Sequence, residues 1–199
     1  MARLKYRVKF NRRSLPETTS PAFEFDYCDI GTVGHGRLIG KPELMQFSSA
    51  PSRARRLVED GDTIISTVRT YLRAVINFRD GASKIVVSTG FAVLSPNDPS
   101  ASNYLGWLCQ SHILIEEIVA RSVGVSYPAI SPSDIGDIFL PFAPLPEQQA
   151  IATYLDKETA KIDKLKELTK RQIALLSEKR QALITEAVTG KIPKAREVA

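Results

Sequence analysis

The longest regular pattern of apolar and polar residues lies at the C-terminal end of the chain, and it predicts one long α-helix from about Pro146 to Val188. No proline or glycine interrupts residues 147–188, and strong helix formers fill most of the positions. Gly190 and Pro193 follow, as is typical of a helix end. With a rise of 1.5 Å per residue, the helix is expected to be about 60 Å long.

Within this stretch, apolar residues recur at intervals of seven, which is typical of a helix that pairs with another long helix. Thr169 and Lys179 interrupt the repeat, as polar residues that fix register often do. A helix lying on its own domain is the alternative, but the pattern is too long for residues 1–145 to cover. We call the predicted pairing residues the helix stripe: Ile151, Leu155, Ile162, Leu165, Leu176 and Leu183.

Upstream of the helix, short β-branched and aromatic runs separated by glycine and proline predict a β-rich part. We expect a first strand that ends near Ile30 and a turn at Asp80–Gly81. Further strands are expected at residues 63–68 and 72–78, which would pair, and at residues 84–94 and 138–140.

Three shorter helices are also predicted from spacing and capping residues. The first would begin at Ser52, stop at Gly61 and present three arginines. The second would cover residues 103–120, with His112 on or near its apolar face as a structural histidine. The third would begin at Ser131–Pro132.

Composition is that of an ordinary soluble, folded protein, with 43% hydrophobic and 25% charged residues among 199. The N-terminus lacks a signal-peptide pattern, and no apolar run has the length of a membrane span. Cys28 and Cys109 lie in apolar contexts without metal-ligand spacing. We therefore expect buried, reduced thiols, a cytoplasmic location and no metal site.

These patterns together predict an α+β fold. We expect a β-rich mixed globular domain at residues 1–145, the long helix at residues 146–190 and a C-terminal tail at residues 191–199.

The net charge of +5 is unevenly distributed, with basic residues concentrated in the globular part. Such clusters beside a nearly neutral helix favour nucleic acid over a membrane surface as partner. A basic surface that is merely solvated is the alternative. The second basic concentration, whose members we consider DNA-binding candidates, comprises Arg53, Arg55, Arg56, Arg69 and Arg73.

Arg69, Thr70 and Tyr71 are expected at the tip between two paired strands. Arginine can pair bidentately with guanine, and all three side chains can bind phosphates, so we consider them DNA-binding candidates. An ordinary hairpin surface explains them equally well. Neither a nucleotide-binding glycine loop nor a methyltransferase motif is present in the sequence.

Five runs of the sequence form a distinctive set. Two belong to the long helix and its start, PLPEQQ and LLSEKRQALITEAVTGK, and three lie upstream, PSRARRLVEDGDTIISTVR, STGFAVLSP and GVSYPAISPSDIGDIFLP. The helix runs resemble the spacer region, and the upstream runs resemble in the same order the target recognition domain, of the specificity (S) subunits of type I restriction–modification systems. The resemblance covers essentially the whole chain.

The resemblance implies a non-catalytic subunit whose recognition domain reads one half of a split site in double-stranded DNA. Methyltransferase (M) and restriction (R) subunits would be its partners. S-adenosylmethionine, ATP and Mg²⁺ would belong to those partners, and this chain would hold no cofactor. The same match adds Gly124, Ser126 and Tyr127 to the DNA-binding candidates.

Family members usually have two recognition domains and two spacer helices, whereas this sequence has one of each. It is either a natural half-length subunit or a fragment of a longer one. We expect a homodimer in which the long helices form an antiparallel coiled coil and two inverted half-sites are read. The alternative function is a coiled-coil oligomeric scaffold or regulator without sequence-specific DNA binding.

Overall fold

The computed structural model describes residues 1–82 and 84–191. The strands are β1 (Ala2–Arg3), β2 (Val8–Phe10), β3 (Glu24–Cys28), β4 (Glu43–Gln46), β5 (Ala54–Leu57), β6 (Thr63–Ser66), β7 (Val75–Asn77), β8 (Ile85–Ser88), β9 (Phe91–Pro96) and β10 (Phe139–Leu140). The α-helices are α1 (Ser102–Gln110), α2 (His112–Arg121), α3 (Pro132–Gly136) and α4 (Leu145–Val188). The predicted α+β class and the predicted long helix are both confirmed. The predicted tail after Lys191 lies outside the described residues.

In the described part of the chain, the strands form one two-stranded sheet and two four-stranded sheets. The first four-stranded sheet has the order β2-β9-β6-β7 and is antiparallel. The second has the order β4-β3-β8-β5, with β3 and β8 parallel. The two-stranded sheet pairs β1 with β10, so that Ala2 lies opposite Leu140.

The apolar run that we expected to form one strand at residues 84–94 forms two strands in different sheets. Thr89 and Gly90 separate β8 from β9. The Thr89 N–H donates to the Arg53 carbonyl at 2.8 Å, and the Gly90 carbonyl accepts from the Thr67 N–H at 2.8 Å. The prediction of one strand was wrong because the two apolar halves of the run pair with different neighbours, which periodicity does not show.

The helix expected between Ser52 and Gly61 is also wrong, because Ala54–Leu57 is strand β5. One edge of β5 pairs antiparallel with β8. On its other side, the Arg55 carbonyl accepts from the Leu15 N–H at 2.7 Å. A helix this short is marginal by itself, and pairing on both edges outweighs its local propensity.

A break at Ser111 divides the helix that we expected at residues 103–120 into α1 and α2. The Ser111 backbone is extended (φ −69°, ψ 148°), and its hydroxyl donates to the Leu108 carbonyl at 2.7 Å. His112 begins α2 with an exposed side chain, 3.6 Å from the Glu116 carboxylate. The expectation that His112 packs on the apolar face was therefore wrong.

Buried apolar residues form separate clusters. One joins the first four-stranded sheet to the helices and contains Leu94, Ile118 and Cys109. Another contains residues of both four-stranded sheets, among them Cys28 and Phe91. Both thiols are buried and free, as expected. Burial raises the pKa of Cys28 to about 11, and it raises the pKa of Cys109 well above its usual range.

Arg56 links the two four-stranded sheets through hydrogen bonds. Its guanidinium donates to the Asn11 Oδ1 and to the Phe91 carbonyl. Asn11 has a left-handed backbone (φ 49°), and its Oδ1 also accepts from the Val93 N–H at 2.9 Å. Burial lowers the pKa of Arg56. The side chain therefore serves the fold, whatever else it contacts.

Replacing Arg56 with methionine is expected to lower the free energy of unfolding by about 1–2 kcal/mol, because buried acceptors lose a charged donor. Urea denaturation measures this loss. Arg55→Met is the matched control on the same strand. The Arg55 guanidinium carbon lies 4.9 Å from the centroid of the Phe47 ring, and the guanidinium donates to the Ala54 carbonyl, so a smaller loss is expected. Equal losses for the two variants would contradict the linking role of Arg56.

The long helix α4 begins at Leu145 and ends at Val188. Its first turns belong to the compact unit Met1–Ala152, in which Ala152 is buried and Ile151 packs on the core. A second unit begins at Thr153. Gly190 follows the helix with φ 71°, as expected for a residue that ends one. The proposed boundary between domain and spacer, at residues 145 and 146, stays a prediction.

Most of the helix stripe is exposed in the single chain. The exposed fractions are 55% for Ile162, 63% for Leu165, 65% for Leu176 and 48% for Leu183. Isolated apolar residues are normal on a protein surface, but a row of them along one helix is typical of a surface that becomes covered. In the described part of the chain, every helix is too short or too polar to cross a lipid bilayer.

Candidate nucleic-acid interface

A cleft of about 440 Å³ lies in the first compact unit, where the end of β8 meets the segment after β6. Its polar side chains include Asp29, Arg53, Arg69 and Tyr127, and we call it the arginine cleft. Thr89 and Gly90, which separate β8 from β9, also line it. The sheets therefore fix the interior of the cleft, and the arginines stand on short connecting segments.

Arg53 lies just before β5 and has an exposed side chain. Its carbonyl accepts from the Thr89 N–H, which holds the backbone against β8. Its Nε donates to the Tyr27 hydroxyl at 3.3 Å. This hydrogen bond raises the pKa of Arg53, so the guanidinium stays charged. The cation is therefore both oriented and accessible.

Arg69 lies on a tight turn after β6. Its backbone is left-handed (φ 50°), and the 3-10 helix Thr70–Leu72 follows it. Thr70 is buried and donates to the Ser122 hydroxyl at 2.8 Å, and Ser122 donates in turn to the Ile118 carbonyl at 2.6 Å. This chain of hydrogen bonds fixes the turn to α2. The expected turn is confirmed, with the Thr70 side chain inside it.

Residues 123–129 form a small hairpin beside this turn. The Val123 N–H donates to the Ala129 carbonyl at 2.9 Å, and the Ala129 N–H donates to the Val123 carbonyl at the same distance. Gly124 has φ 120°, which strains any other residue, and an added Cβ would lie 3.1 Å from the Tyr127 carbonyl oxygen. Val68 forms a β-bridge with Ala129. The hairpin is thereby placed next to Arg69.

The hairpin and the turn meet in a cation–π contact. The Arg69 guanidinium carbon lies 4.8 Å from the centroid of the Tyr127 ring. Tyr127 is 65% exposed, and Val125 at the hairpin tip is fully exposed. Stacking restricts the guanidinium while leaving its N–H donors available. An oriented cation with an exposed ring suits a nucleic acid, which offers phosphates and base edges.

The other arginines that we predicted to bind DNA do not line the arginine cleft. Arg55 packs on Phe47, and Arg56 links the sheets. Arg73 forms an ion pair with Glu116 at 2.7 Å. DNA contact by any of these three stays a prediction.

The structure therefore brings Arg53, Arg69 and Tyr127 together in one cleft. Tyr71 and Ser126 are exposed, on the turn and the hairpin that position Arg69 and Tyr127. Gly124 shapes that hairpin. Contact of any of these residues with DNA also stays a prediction.

The sequence analysis missed Asp29, Thr89 and Gly90. Asp29 follows directly on β3, and a polar residue at the end of a buried strand was an available signal. Thr89 and Gly90 belong to the run STGFAVLSP, which we had compared with the recognition domain only as a whole. An added Cβ on Gly90 would lie 3.1 Å from a methyl group of Val68. A side chain there would crowd the cleft.

Comparison with known proteins identifies the family. The family model described as type I restriction modification DNA specificity domain matches residues 53–176. The type I restriction enzyme EcoKI specificity subunit of Escherichia coli (strain K12) is 31% identical over 100 residues. This alignment covers 50% of this chain and 22% of that protein.

Solved structures show the same fold. The HsdS subunit from Thermoanaerobacter tengcongensis is 25% identical with a TM-score of 0.71, over 98% of this chain and 50% of that one. A second structure concerns complex assembly and conformational transition of the type I R-M system. Its matching chain is also 25% identical, with a TM-score of 0.68, over 100% of this chain and 52% of that one.

The chain spans about half the length of these solved relatives. The matched region, residues 53–176, includes Arg53, Arg69 and Tyr127 of the arginine cleft. It also includes the helix stripe as far as Leu176, whereas Asp29 and Leu183 lie outside it. The chain belongs to the type I restriction–modification DNA specificity family, whose members are recognition subunits and not enzymes.

Proposed function

We propose that this chain reads one half of a split DNA target for a type I restriction–modification complex. Two copies would pair through α4 and read two half-sites in inverted orientation. The observation that carries the reading role is the arginine cleft, where Arg53, Arg69 and Tyr127 meet. The proposed compartment is the cytoplasm.

Both cleft arginines can reach DNA as oriented donors. Arg53 is held by Tyr27 and Arg69 by the face of Tyr127. A guanidinium fixed in this way can pair bidentately with guanine O6 and N7, or bind a phosphate. Preorganised donors lose less conformational entropy on binding than free side chains do. This favours sequence reading over general attraction to the DNA backbone.

Pairing is supported by the exposed helix stripe. At 1.5 Å per residue, the 44 residues of α4 extend about 66 Å, roughly two turns of DNA. In an antiparallel pair, one two-fold axis would relate the two helices and also the two recognition units. The two half-sites would therefore be read in inverted orientation. This chain covers 50% of the solved HsdS chain, so two copies together would have about the length of that chain.

The proposed partners are the methyltransferase (M) and restriction (R) subunits of the same system. S-adenosylmethionine, ATP and Mg²⁺ would be bound by those partners. The second solved relative comes from a structure of type I R-M complex assembly, which supports a partner-dependent role for this chain.

Co-expression with the cognate M subunit in a host that lacks adenine methylation tests the proposal. Long-read sequencing would map the methylated adenines. We expect an interrupted palindrome. An asymmetric split site would overturn the homodimer and mean that a different recognition domain completes the pair. A purified complex of both proteins that methylates no defined sequence would contradict the reading role and favour the scaffold alternative.

A further inference from the structure

Asp29 is an anion in a cleft that otherwise presents arginines. It follows directly on β3, and its Oδ1 accepts a hydrogen bond from the Gly31 N–H at 2.8 Å. The side chain is half-buried and lines the arginine cleft with Arg53 and Arg69. Among the described residues, this turn bond is the one hydrogen bond that the Asp29 carboxylate makes. Its Oδ2 is therefore able to accept from a ligand.

The charge of Asp29 decides which part of DNA it can face. A carboxylate repels phosphates, so it does not belong to a backbone contact. On the base edges of the major groove, guanine presents two acceptors and thymine an acceptor beside a methyl group. Adenine presents its amino donor beside the N7 acceptor, whereas cytosine presents its amino donor without a neighbouring acceptor. Cytosine is thus the base that a carboxylate accommodates best.

We propose that Asp29 selects a base, its Oδ2 accepting a hydrogen bond from the amino group of one cytosine in each half-site. This inference rests on the proposed function, since it requires DNA in the arginine cleft. Arg53 and Arg69 provide the surrounding positive charge that lets an anion approach the duplex. The fixed turn at Gly31 holds the carboxylate in one orientation, as a base-reading group requires.

The competing explanation is that Asp29 only closes the turn through Gly31. Asp29→Asn separates the two roles because asparagine keeps the Oδ1 acceptor for the Gly31 N–H but loses the charge. Asparagine also pairs bidentately with adenine N6 and N7. Under the base-selecting role, the substitution exchanges one base of the target. Under the turn-closing role, it leaves the target unchanged.

Adenine-methylation maps of the wild-type and Asp29→Asn proteins, each with the M subunit, test the inference. The wild-type half-site should contain a required cytosine that becomes adenine, or loses its discrimination, in the variant. Asp80→Asn makes the same change of charge on an exposed residue outside the cleft and should keep the wild-type motif. Each correct contact discriminates by about 5- to 150-fold.

The outcomes separate this inference from the function on which it rests. A wild-type motif that persists unchanged in Asp29→Asn overturns the role of Asp29 and leaves the proposed function standing. A wild-type half-site without any G·C pair, and hence without cytosine on either strand, does the same. The absence of any motif in the wild type, with an intact complex, overturns the proposed function and this inference together.

A second measurement changes the DNA, and the outcome that would overturn the inference does not depend on whether Asp29→Asn folds. The wild-type complex would be titrated with DNA in which 2-pyrimidinone replaces each cytosine of the half-site in turn. This removes the amino group from the major groove together with its hydrogen bond to guanine O6, so each affinity would be compared with that of Asp29→Asn for the same DNA. One replacement should weaken binding about 5- to 150-fold. Unchanged affinity at every cytosine would overturn the proposed hydrogen bond.

Discussion

Leu176→Glu is expected to convert the proposed dimer to a monomer. Leu176 is 65% exposed in the single chain and lies in the C-terminal half of the helix stripe, where pairing would bury it. A glutamate there would be a buried charge without a partner. We expect the pairing free energy to fall by about 3–5 kcal/mol, which is at least a hundred-fold in the dissociation constant.

Light scattering across a concentration series measures this change directly. Gln181→Glu is the matched control, because it adds the same charge on α4 five residues further on, outside the stripe, and should leave pairing intact. Circular dichroism should show that both variants keep their helix content. A Leu176→Glu protein that remains dimeric would show that the stripe is not the pairing surface.

Replacing Arg53 and Arg69 together with alanine is expected to abolish recognition of the target sequence. The proposed homodimer would lose two oriented guanidiniums in each half-site, four in total. At about 1 kcal/mol for each contact, specific affinity should fall on the order of a thousand-fold. Binding of unrelated DNA should fall less, because it depends on net charge and not on oriented donors.

Arg37→Ala with Lys41→Ala is the matched control. It removes the same charge from two exposed residues outside the cleft. Competition binding of the complex with the M subunit, at one salt concentration, compares specific and unrelated DNA. Equal losses for the two double variants would mean that general electrostatics, and not the arginine cleft, accounts for binding.

The features that local pattern determines could be predicted from the sequence. Helix α4 begins at Leu145, one residue before the expected position. The agreement is close because an unbroken run of helix formers with a clear end determines the helix locally. Ser131 caps α3 as expected, accepting a hydrogen bond from the Asp134 N–H at 3.1 Å. In both cases, residues within a few positions of one another decide the outcome.

The sheet arrangement could not be predicted in this way. Strand β5 exists because β8 and the backbone near Leu15 pair with its two edges, and both partners are distant in sequence. The separation of β8 from β9 likewise depends on which strands lie on each side. Propensity has little influence where pairing on both edges decides the conformation.

The candidate site shows the same division. Three arginines lie within four positions, namely Arg53, Arg55 and Arg56. The sequence alone gives no reason to assign them different roles. In the structure one lines the cleft, one packs on an aromatic ring and one links two sheets. Asp29 enters the cleft because β3 pairs in parallel with β8, about sixty residues later in the chain. Because strand pairing brings Asp29 into the cleft, its position there can be known only from the folded structure.

The pairing of β1 with β10 bears on how longer members of the family could arise. Ala2 lies opposite Leu140, and α4 begins at Leu145. The chain therefore enters the recognition unit at β1 close to the point where it leaves that unit for α4. In the proposed antiparallel pair, the end of one α4 lies beside the start of the other, and so beside the partner's β1. Gene duplication followed by fusion could therefore join two copies with a short linker and leave both folds unaltered.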